Sequence, residues 1–316
     1  MSGAVRKKMK SIRWSFSLAL VPFCFAAVLG CAQQFPGLPP AENKEPVARE
    51  PVARKEVPQG CRVTGRVVST AWRNLGGGIE RAIVSVWRLP ENERIEEINA
   101  QGEQFEMHLP PGRYRVDFSA TGTRGATFSG KSRQITIDDG QKQVDLEQMD
   151  LPISKTTSLY GKQAPELDGI IAWRDTSPMT LKHLRGRVVV LDFFGYYCTI
   201  CHAHKPDLVK LREKYEPKGL TVLAIHDSSL KTLDEMNEKM EPILRRIFEG
   251  DPPKFPMALD GPGKQSVFEA YGIYAVPAVI LIDQRGQVVR RYHHAGKPEL
   301  EADVRTLLSI RSTPIH

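Results

Sequence analysis

Cys198 and Cys201 are the two residues whose type and spacing suggest chemistry most directly. They follow the apolar run of residues 187–194, and an amphipathic pattern continues from them to Tyr215. This order predicts a buried strand, a turn and a helix that begins at the first cysteine. Unpaired N–H groups and the helix dipole stabilise a thiolate at that position. Cys198 is therefore the candidate nucleophile for disulfide exchange, and Cys201, one helical turn later, is the candidate resolving thiol.

Two more residues are expected to lie beside the cysteine pair. Asp192 stands six residues before Cys198 on the buried strand, where its carboxylate would point towards the pair from beneath. Burial raises the pKa of a carboxyl group, which lets it move a proton near neutrality, whereas the alternative is a satisfied polar residue under the sheet. Pro277 stands just before the predicted strand 278–283, where a cis peptide would set the Val276 backbone beside the sulfurs.

The helix after the cysteine pair carries a proline and several basic residues. Pro206 lies inside the helical pattern and is predicted to kink it, because proline has no N–H to donate. The basic residues are predicted to form a solvated helix face: Lys205, Lys210, Arg212 and Lys214.

Residues 184–201 together with the Val276–Pro277 stretch resemble the TlpA/ResA-like branch of the thioredoxin superfamily. The resemblance implies an α/β thioredoxin-like fold for residues 153–316, with a central mixed sheet flanked by helices and an added strand and helix at 220–248. It also implies an extracytoplasmic, membrane-tethered thiol-disulfide oxidoreductase that acts on protein thiols or disulfides. Its electron donor or acceptor in the membrane is not identified by the sequence.

The same resemblance assigns roles to further residues. Asp192 matches the buried acid of thioredoxin. His204 falls where some relatives carry a glutamate near the cysteines, and a histidine titrates near neutrality, although a solvated helix residue is the alternative. Tyr197 replaces the usual tryptophan before the first cysteine and is expected, with Val276, to contact the substrate.

Residues 199–200 lack the proline or histidine found between the cysteines of several oxidants, which favours a reductant. No cofactor or metal is expected.

Alternating strand and helix patterns in residues 153–316 agree with this fold. The predicted strands are 187–194, 220–225, 278–283 and 287–292, and the predicted helices after the first are 230–248, 265–271 and 298–310.

Residues 59–152 are predicted to form a separate N-terminal all-β sandwich domain. Short runs with period-two alternation are separated by Gly- and Pro-rich turns. The segment Leu109-Pro-Pro-Gly-Arg-Tyr-Arg-Val116 resembles a hairpin of the carboxypeptidase regulatory-like modules. No catalytic set of residues is apparent in the sequence of this part, so a spacer or docking role is expected. The β-like runs are 62–68, 82–87, 104–109, 113–118, 134–137 and 143–146.

The net charge of +7 is concentrated at the N-terminus, where residues 1–30 carry five basic residues and no acidic one. Without them the charge is +2, and a nucleic-acid partner is not expected. Residues 1–30 are predicted to be an export signal, and Val28-Leu29-Gly30-Cys31 resembles a lipoprotein cleavage site with a lipidated Cys31. An ordinary secretory signal or a short uncleaved anchor is the alternative. Residues 31–58, rich in Pro, Ala, Glu and Lys, are predicted to be a disordered tether.

The remaining cysteines do not suggest a disulfide framework. Cys24 would leave with the signal segment, and Cys61 is predicted to be a small buried hydrophobic residue.

The sequence leaves four alternative functions open. Cys198-Thr-Ile-Cys-His202 also matches the attachment motif of c-type haem, which would make the chain an electron carrier. The two cysteines with His202 and His204 could bind Cu(I) or Zn. A peroxidase would need a threonine where Gly195 stands. A binding-only lipoprotein would use the domain as a scaffold.

Overall fold

The structure is a computed structural model that describes residues 60–310 of the chain. The predicted signal segment 1–30, the predicted lipidation at Cys31 and the predicted tether 31–58 lie outside the described residues, as do residues 311–316.

Residues 61–150, here called the N-terminal module, form two β-sheets. One sheet has the strand order β4-β1-β8, and the other has the order β3-β2-β5-β6, with β7 also paired to β5. The elements in chain order are β1 (Cys61–Val68), α1 (Thr70–Asn74), β2 (Ile79–Leu89), β3 (Glu93–Gln101), β4 (Gln104–Leu109), β5 (Gly112–Gly122), β6 (Ala126–Thr127), β7 (Lys131–Ile137) and β8 (Gln143–Asp150).

The two sheets of the N-terminal module share one apolar core. Side chains alternate along each strand, so that Phe105, Met107 and Leu109 of β4 are buried between exposed neighbours. They pack in one cluster with Val84 of β2 and Phe118 of β5. Each fully buried side chain of this kind contributes about 1.5–3 kcal/mol to stability. All six predicted β-like runs lie within strands of the structure.

Three elements of the N-terminal module were not predicted, among them the two-residue strand β6. The strand β3 carries three glutamates in nine residues, Glu93, Glu96 and Glu97, and it pairs with β2 at the edge of its sheet. Edge strands tolerate charged side chains, which hides the apolar alternation. The short helix α1 begins at Ser69, whose side chain accepts a hydrogen bond from the Trp72 N–H.

Residues 155–309, here called the C-terminal region, form a six-stranded sheet with helices. The elements are α2 (Lys155–Ser158), β9 (Ile170–Arg174), β10 (Val188–Phe194), α3 (Thr199–Ala203), α4 (Lys205–Tyr215), β11 (Leu220–His226), α5 (Leu233–Ile247), β12 (Met257–Asp260), α6 (Val267–Tyr271), β13 (Ala278–Ile282), β14 (Val288–Tyr292) and α7 (Pro298–Ser309).

The sheet of the C-terminal region is mixed and has the order β14-β13-β10-β11-β12-β9. β10 runs parallel to β11 and antiparallel to β13, and all seven of its residues are buried. Apolar clusters cover both faces of the sheet, one of them with side chains from α4, α5 and α7. The predicted mixed sheet flanked by helices is confirmed. The prediction missed the strands β9 and β12.

The segment 151–164 connects the two parts and contacts both. The Tyr160 hydroxyl donates a hydrogen bond to the Gly125 carbonyl (3.1 Å) and accepts one from the Arg291 N–H (2.8 Å). The Tyr160 ring also meets the ring of Trp72 edge-on, at 5.9 Å between centroids. Tyr160 therefore bonds to β14 of the C-terminal region and to the N-terminal module at the same time.

Of the helices between residues 60 and 310, none combines the length and the apolar character needed to span a bilayer.

Candidate functional site

The cysteine pair lies where β10 ends. The chain leaves β10, crosses residues 195–197 and enters α3 with Cys198 as the N-cap residue. Cys198 and Cys201 are joined by a disulfide with their Cα atoms 5.3 Å apart, and Cys198 Sγ accepts a hydrogen bond from the Cys201 N–H (3.1 Å). Cys201 is 2% exposed, whereas Cys198 is half-buried. An incoming thiol can therefore reach Cys198 more easily than Cys201, which agrees with the predicted order of attack.

The third cysteine of the described residues is separate from this pair. Cys61 is free and buried in the core of the N-terminal module, and burial raises the pKa of its thiol. It is the small buried residue that the sequence predicted.

The helix after the pair is broken, as Pro206 predicts. α3 ends at Ala203, and α4 begins at Lys205 with Pro206 in its first turn. A proline is tolerated there because the first N–H groups of a helix have no partner within it.

Lys205 corrects the prediction of a solvated basic face. Its side chain is buried, and Nζ lies 2.6 Å from Asp192 Oδ2 and 3.6 Å from the centroid of the Phe194 ring. Burial lowers the pKa of Lys205, while the Asp192 carboxylate favours its charged form. The break before α4 turns this first lysine inward over β10, although the later basic residues of the same helix point outward.

Asp192 is buried on β10, as predicted, but its nearest charged neighbour is Lys205. The sequence analysis named no partner for Asp192, and Lys205 supplies the compensating charge that a buried carboxylate needs. The Lys205 ammonium beside it places exchangeable protons next to the active-site strand.

Pro277 lies at the same end of the sheet as the disulfide. The Val276–Pro277 peptide bond is cis, as predicted. β13 begins at the next residue, Ala278, which pairs with Phe193 of β10. Val276 and Cys198 are half-buried and pack against the same apolar cluster, so the loop before β13 borders the site.

Exposed apolar side chains surround the disulfide. Tyr197 and Ile200 flank Cys198 in sequence and are 58% and 59% exposed, and Tyr274 in the loop before Pro277 is 76% exposed. The Tyr197 hydroxyl donates a hydrogen bond to Asp227, which raises the pKa of Tyr197 to about 12. Exposed aromatic side chains of this kind are typical of surfaces that bind proteins.

His204 lies at the junction of α3 and α4 and contacts residues outside the cysteine pair. Its ring stacks on that of His294 with 4.0 Å between centroids, and its Nδ1 lies 3.6 Å from Asp207 Oδ2. Burial and the neighbouring His204 lower the pKa of His294. The structure therefore gives His204 two partners that the sequence did not suggest.

Two buried histidines border the site and were not predicted to act in disulfide exchange. His202 was considered only as a haem or metal ligand, and His226 was not singled out. Both are buried, and both bond to the backbone of Tyr196. A sequence signal for His226 does exist: it ends the strand parallel to β10, and adjacent parallel strands end at the same edge.

The residues of the haem and metal alternatives have other partners in the structure. The two sulfurs are bonded to each other, and Nε2 of His202 faces the Tyr196 carbonyl oxygen at 2.7 Å instead of pointing outward. In residues 60–310, no group of three or more His, Cys, Asp or Glu side chains is arranged to hold a metal ion.

Comparison with known proteins agrees with the site. Residues 160–291 match the AhpC/TSA family. Protein DipZ of Mycobacterium tuberculosis is 33% identical over 128 residues, which are 40% of this chain and 17% of DipZ. Thiol-disulfide oxidoreductase ResA of Bacillus thuringiensis subsp. konkukian is 28% identical over 130 residues, which are 41% of this chain and 67% of ResA.

A solved structure assigned as the thiol:disulfide interchange protein DsbE of Chlorobium tepidum is 26% identical, with a TM-score of 0.36. The match covers 46% of this chain and 92% of that one. The family match includes Asp192, Cys198, Cys201 and Pro277.

Proposed function

We propose that this chain, which contains a thioredoxin-like AhpC/TSA domain with thiol-disulfide oxidoreductase homologues, exchanges disulfides with protein substrates outside the cytoplasm while it is tethered to a membrane. The observation that carries the proposal is the Cys198–Cys201 disulfide at the start of α3, with the more exposed sulfur first. The direction proposed is reduction of the substrate.

The reaction uses both sulfurs in turn. In the reduced protein, the Cys198 thiolate attacks one sulfur of a substrate disulfide, and the other substrate sulfur leaves as a thiolate. Cys201 then loses its proton, for which Asp192 is the proposed acceptor, and attacks Cys198. This second step breaks the mixed disulfide, forms the Cys198–Cys201 bond and passes two electrons to the substrate in total. A membrane donor of electrons must reduce the pair again.

The remaining site residues have supporting roles in the proposal. Val276 and Tyr197 would bind the substrate chain at the exposed apolar surface, and Pro277 would hold Val276 in place. His204 is retained as a residue that handles protons, one turn beyond Cys201.

The domain division is part of the proposal as well. Residues 1–30 would be a signal peptide, Cys31 the lipid anchor, 31–58 a tether, 59–152 a carboxypeptidase regulatory-like β-sandwich that serves as spacer or docking module, and 153–316 the catalytic domain. The protein would then face the periplasm or another extracytoplasmic space.

Reduction of a protein disulfide, such as that of insulin, tests the proposal. The pre-reduced chain is expected to cleave it, and Cys198→Ser is expected to abolish the activity because the attacking sulfur is lost. Cys201→Ser is expected to accumulate the mixed disulfide, which non-reducing electrophoresis detects. Cys61→Ser is the matched control and should keep parental activity. Parental activity in Cys198→Ser would overturn the proposal.

A further inference from the structure

Both backbone polar groups of Tyr196 are held by histidine side chains. Tyr196 stands two residues before Cys198, in the turn between β10 and α3. Its N–H donates a hydrogen bond to Nε2 of His226 (2.9 Å), and its carbonyl oxygen accepts one from Nε2 of His202 (2.7 Å). His226 is the last residue of β11 and His202 belongs to α3, so two different elements clamp one residue of the turn.

The hydrogen-bond partners determine the proton on each ring. Nδ1 of His226 lies 2.7 Å from the Asp227 carbonyl oxygen, which can only accept, so Nδ1 carries the proton. Nε2 of His226 must then be unprotonated to accept the Tyr196 N–H. In His202, Nε2 carries the proton because it faces a carbonyl, and the buried Nδ1 has no partner among the described residues. The His226 imidazole is therefore neutral in this arrangement, whereas the His202 bond uses an N–H that the neutral and the protonated ring can both supply.

The surroundings of the two rings also favour the neutral form. His226 is fully buried, stacked on the Tyr196 ring at an interplanar angle of 7° and edge-on to Phe194. Burial is the main cause that lowers the pKa of both histidines. Lys205 and Arg246 lower the pKa of His202 further, whereas the Tyr196 carbonyl and Asp192 oppose that effect. Lys205 and His202 lower the pKa of His226 further, whereas the backbone and carboxylate of Asp227 oppose that effect.

We infer that His202 and His226 are positioning residues that fix the turn carrying Cys198, and that the His226 bond to Tyr196 forms only while the His226 ring is neutral. The inference rests on the proposed exchange function for its consequence, but the clamp itself is a property of the turn. A proton on Nε2 of His226 would face the Tyr196 N–H, and two donors cannot bond to each other. Acid would therefore release the turn and slow the attack of Cys198 on a protein disulfide.

Hydrogen exchange of the Tyr196 amide, measured on the full chain between pH 5 and 8 and corrected for its intrinsic rate, tests the clamp. In the parent, protection of the Tyr196 amide is expected to be constant near neutral pH. It should decrease at pH values below the ordinary pKa range of histidine. His226→Phe fills the same apolar space without an acceptor and should lower the protection about tenfold at pH 7, as expected for the loss of one buried hydrogen bond. The rate of thiol-disulfide exchange between the His226→Phe variant and a protein disulfide should fall as well.

His226→Gln is the conservative rescue. The glutamine side-chain oxygen can take the place of Nε2 and accepts at every pH, so protection should be kept and its loss in acid removed. His183→Asn, in an exposed loop position, is the matched control and should behave as the parent in all measurements.

Parental protection of Tyr196 in His226→Phe would overturn the inference, as would an acid-dependent loss that persists in His226→Gln. A chain that shows the His226-dependent protection but exchanges no disulfide would support the clamp and overturn the proposed function instead.

Discussion

The N-terminal module and the C-terminal region bury different kinds of side chain. Of the polar side chains described in residues 61–150, Ser69 alone is buried, and it is bonded locally as the cap of α1. The C-terminal region buries four ionisable side chains close to the disulfide: Asp192, His202, Lys205 and His226.

The buried side chains of the N-terminal module thus mainly stabilise the fold, whereas those near the disulfide in the C-terminal region can also take part in chemistry. Burying an ionisable group costs free energy unless a partner compensates it, and the apolar core of the N-terminal module avoids that cost. In the C-terminal region the compensating partners are present, as the Asp192–Lys205 pair illustrates. Such groups concentrate where protons must be moved or a backbone must be held, so the contrast itself supports the position of the site.

The largest effect is expected from breaking the buried ion pair. Lys205→Met leaves the Asp192 carboxylate without its partner and should lower the free energy of unfolding by about 3–5 kcal/mol, measured by denaturant titration. The double variant Asp192→Leu/Lys205→Met removes both charges and should recover most of this stability. It should still resolve the mixed disulfide slowly in single-turnover kinetics, because the proposed proton acceptor is missing.

The matched control for this pair is Lys210→Met on the exposed face of α4, which should change stability by less than about 0.5 kcal/mol. If Lys205→Met lowered the free energy of unfolding no more than the control does, the ion pair would not stabilise the buried site.

A cavity created in the core of the N-terminal module should lower the free energy of unfolding without changing the rate of disulfide exchange. Leu109 is buried in its core, and Leu109→Ala should lower the free energy of unfolding by about 2–5 kcal/mol. The rate of disulfide exchange under native conditions should stay parental, since no sulfur of the active pair lies in that core. A slower exchange in the folded variant would show that the two parts are not separated in this way.

The smallest effect is expected at the buried serine of the N-terminal module, Ser69. Ser69→Ala removes the acceptor for the Trp72 N–H and should cost about 1 kcal/mol in thermal or denaturant unfolding. Ser69→Asp retains a capping oxygen and should restore most of the loss. If Ser69→Ala lowered the free energy of unfolding as much as Lys205→Met does, the two parts would not differ in the cost of losing a buried polar contact.

The sequence predicted the features of the site that depend on local order. The apolar run of β10, the adjacent cysteine pair and Pro277 before β13 are each visible in a short window, and the structure brings them to one end of the sheet. Those windows specify the elements, and the antiparallel pairing of β10 with β13 places the end of β10 beside the start of β13.

The buried partners depend on contacts that no short window contains. Nothing adjacent in sequence distinguishes Lys205 as a buried lysine, and its burial follows from Asp192, thirteen residues away on another element. His226 is thirty residues from Tyr196, and only the register of β10 with β11 brings them together. β3 was missed for a different reason, since its glutamates resemble a loop and an edge strand accepts them.

The bonds of Tyr160 have a consequence for how the protein unfolds. Its hydroxyl bridges Gly125 and Arg291, and its ring meets Trp72, so melting either part exposes a buried surface of the other. Domains coupled by such shared contacts lose their independence and unfold together. We expect calorimetry of the full chain to give one cooperative unfolding transition. Both parts should contribute to its unfolding enthalpy.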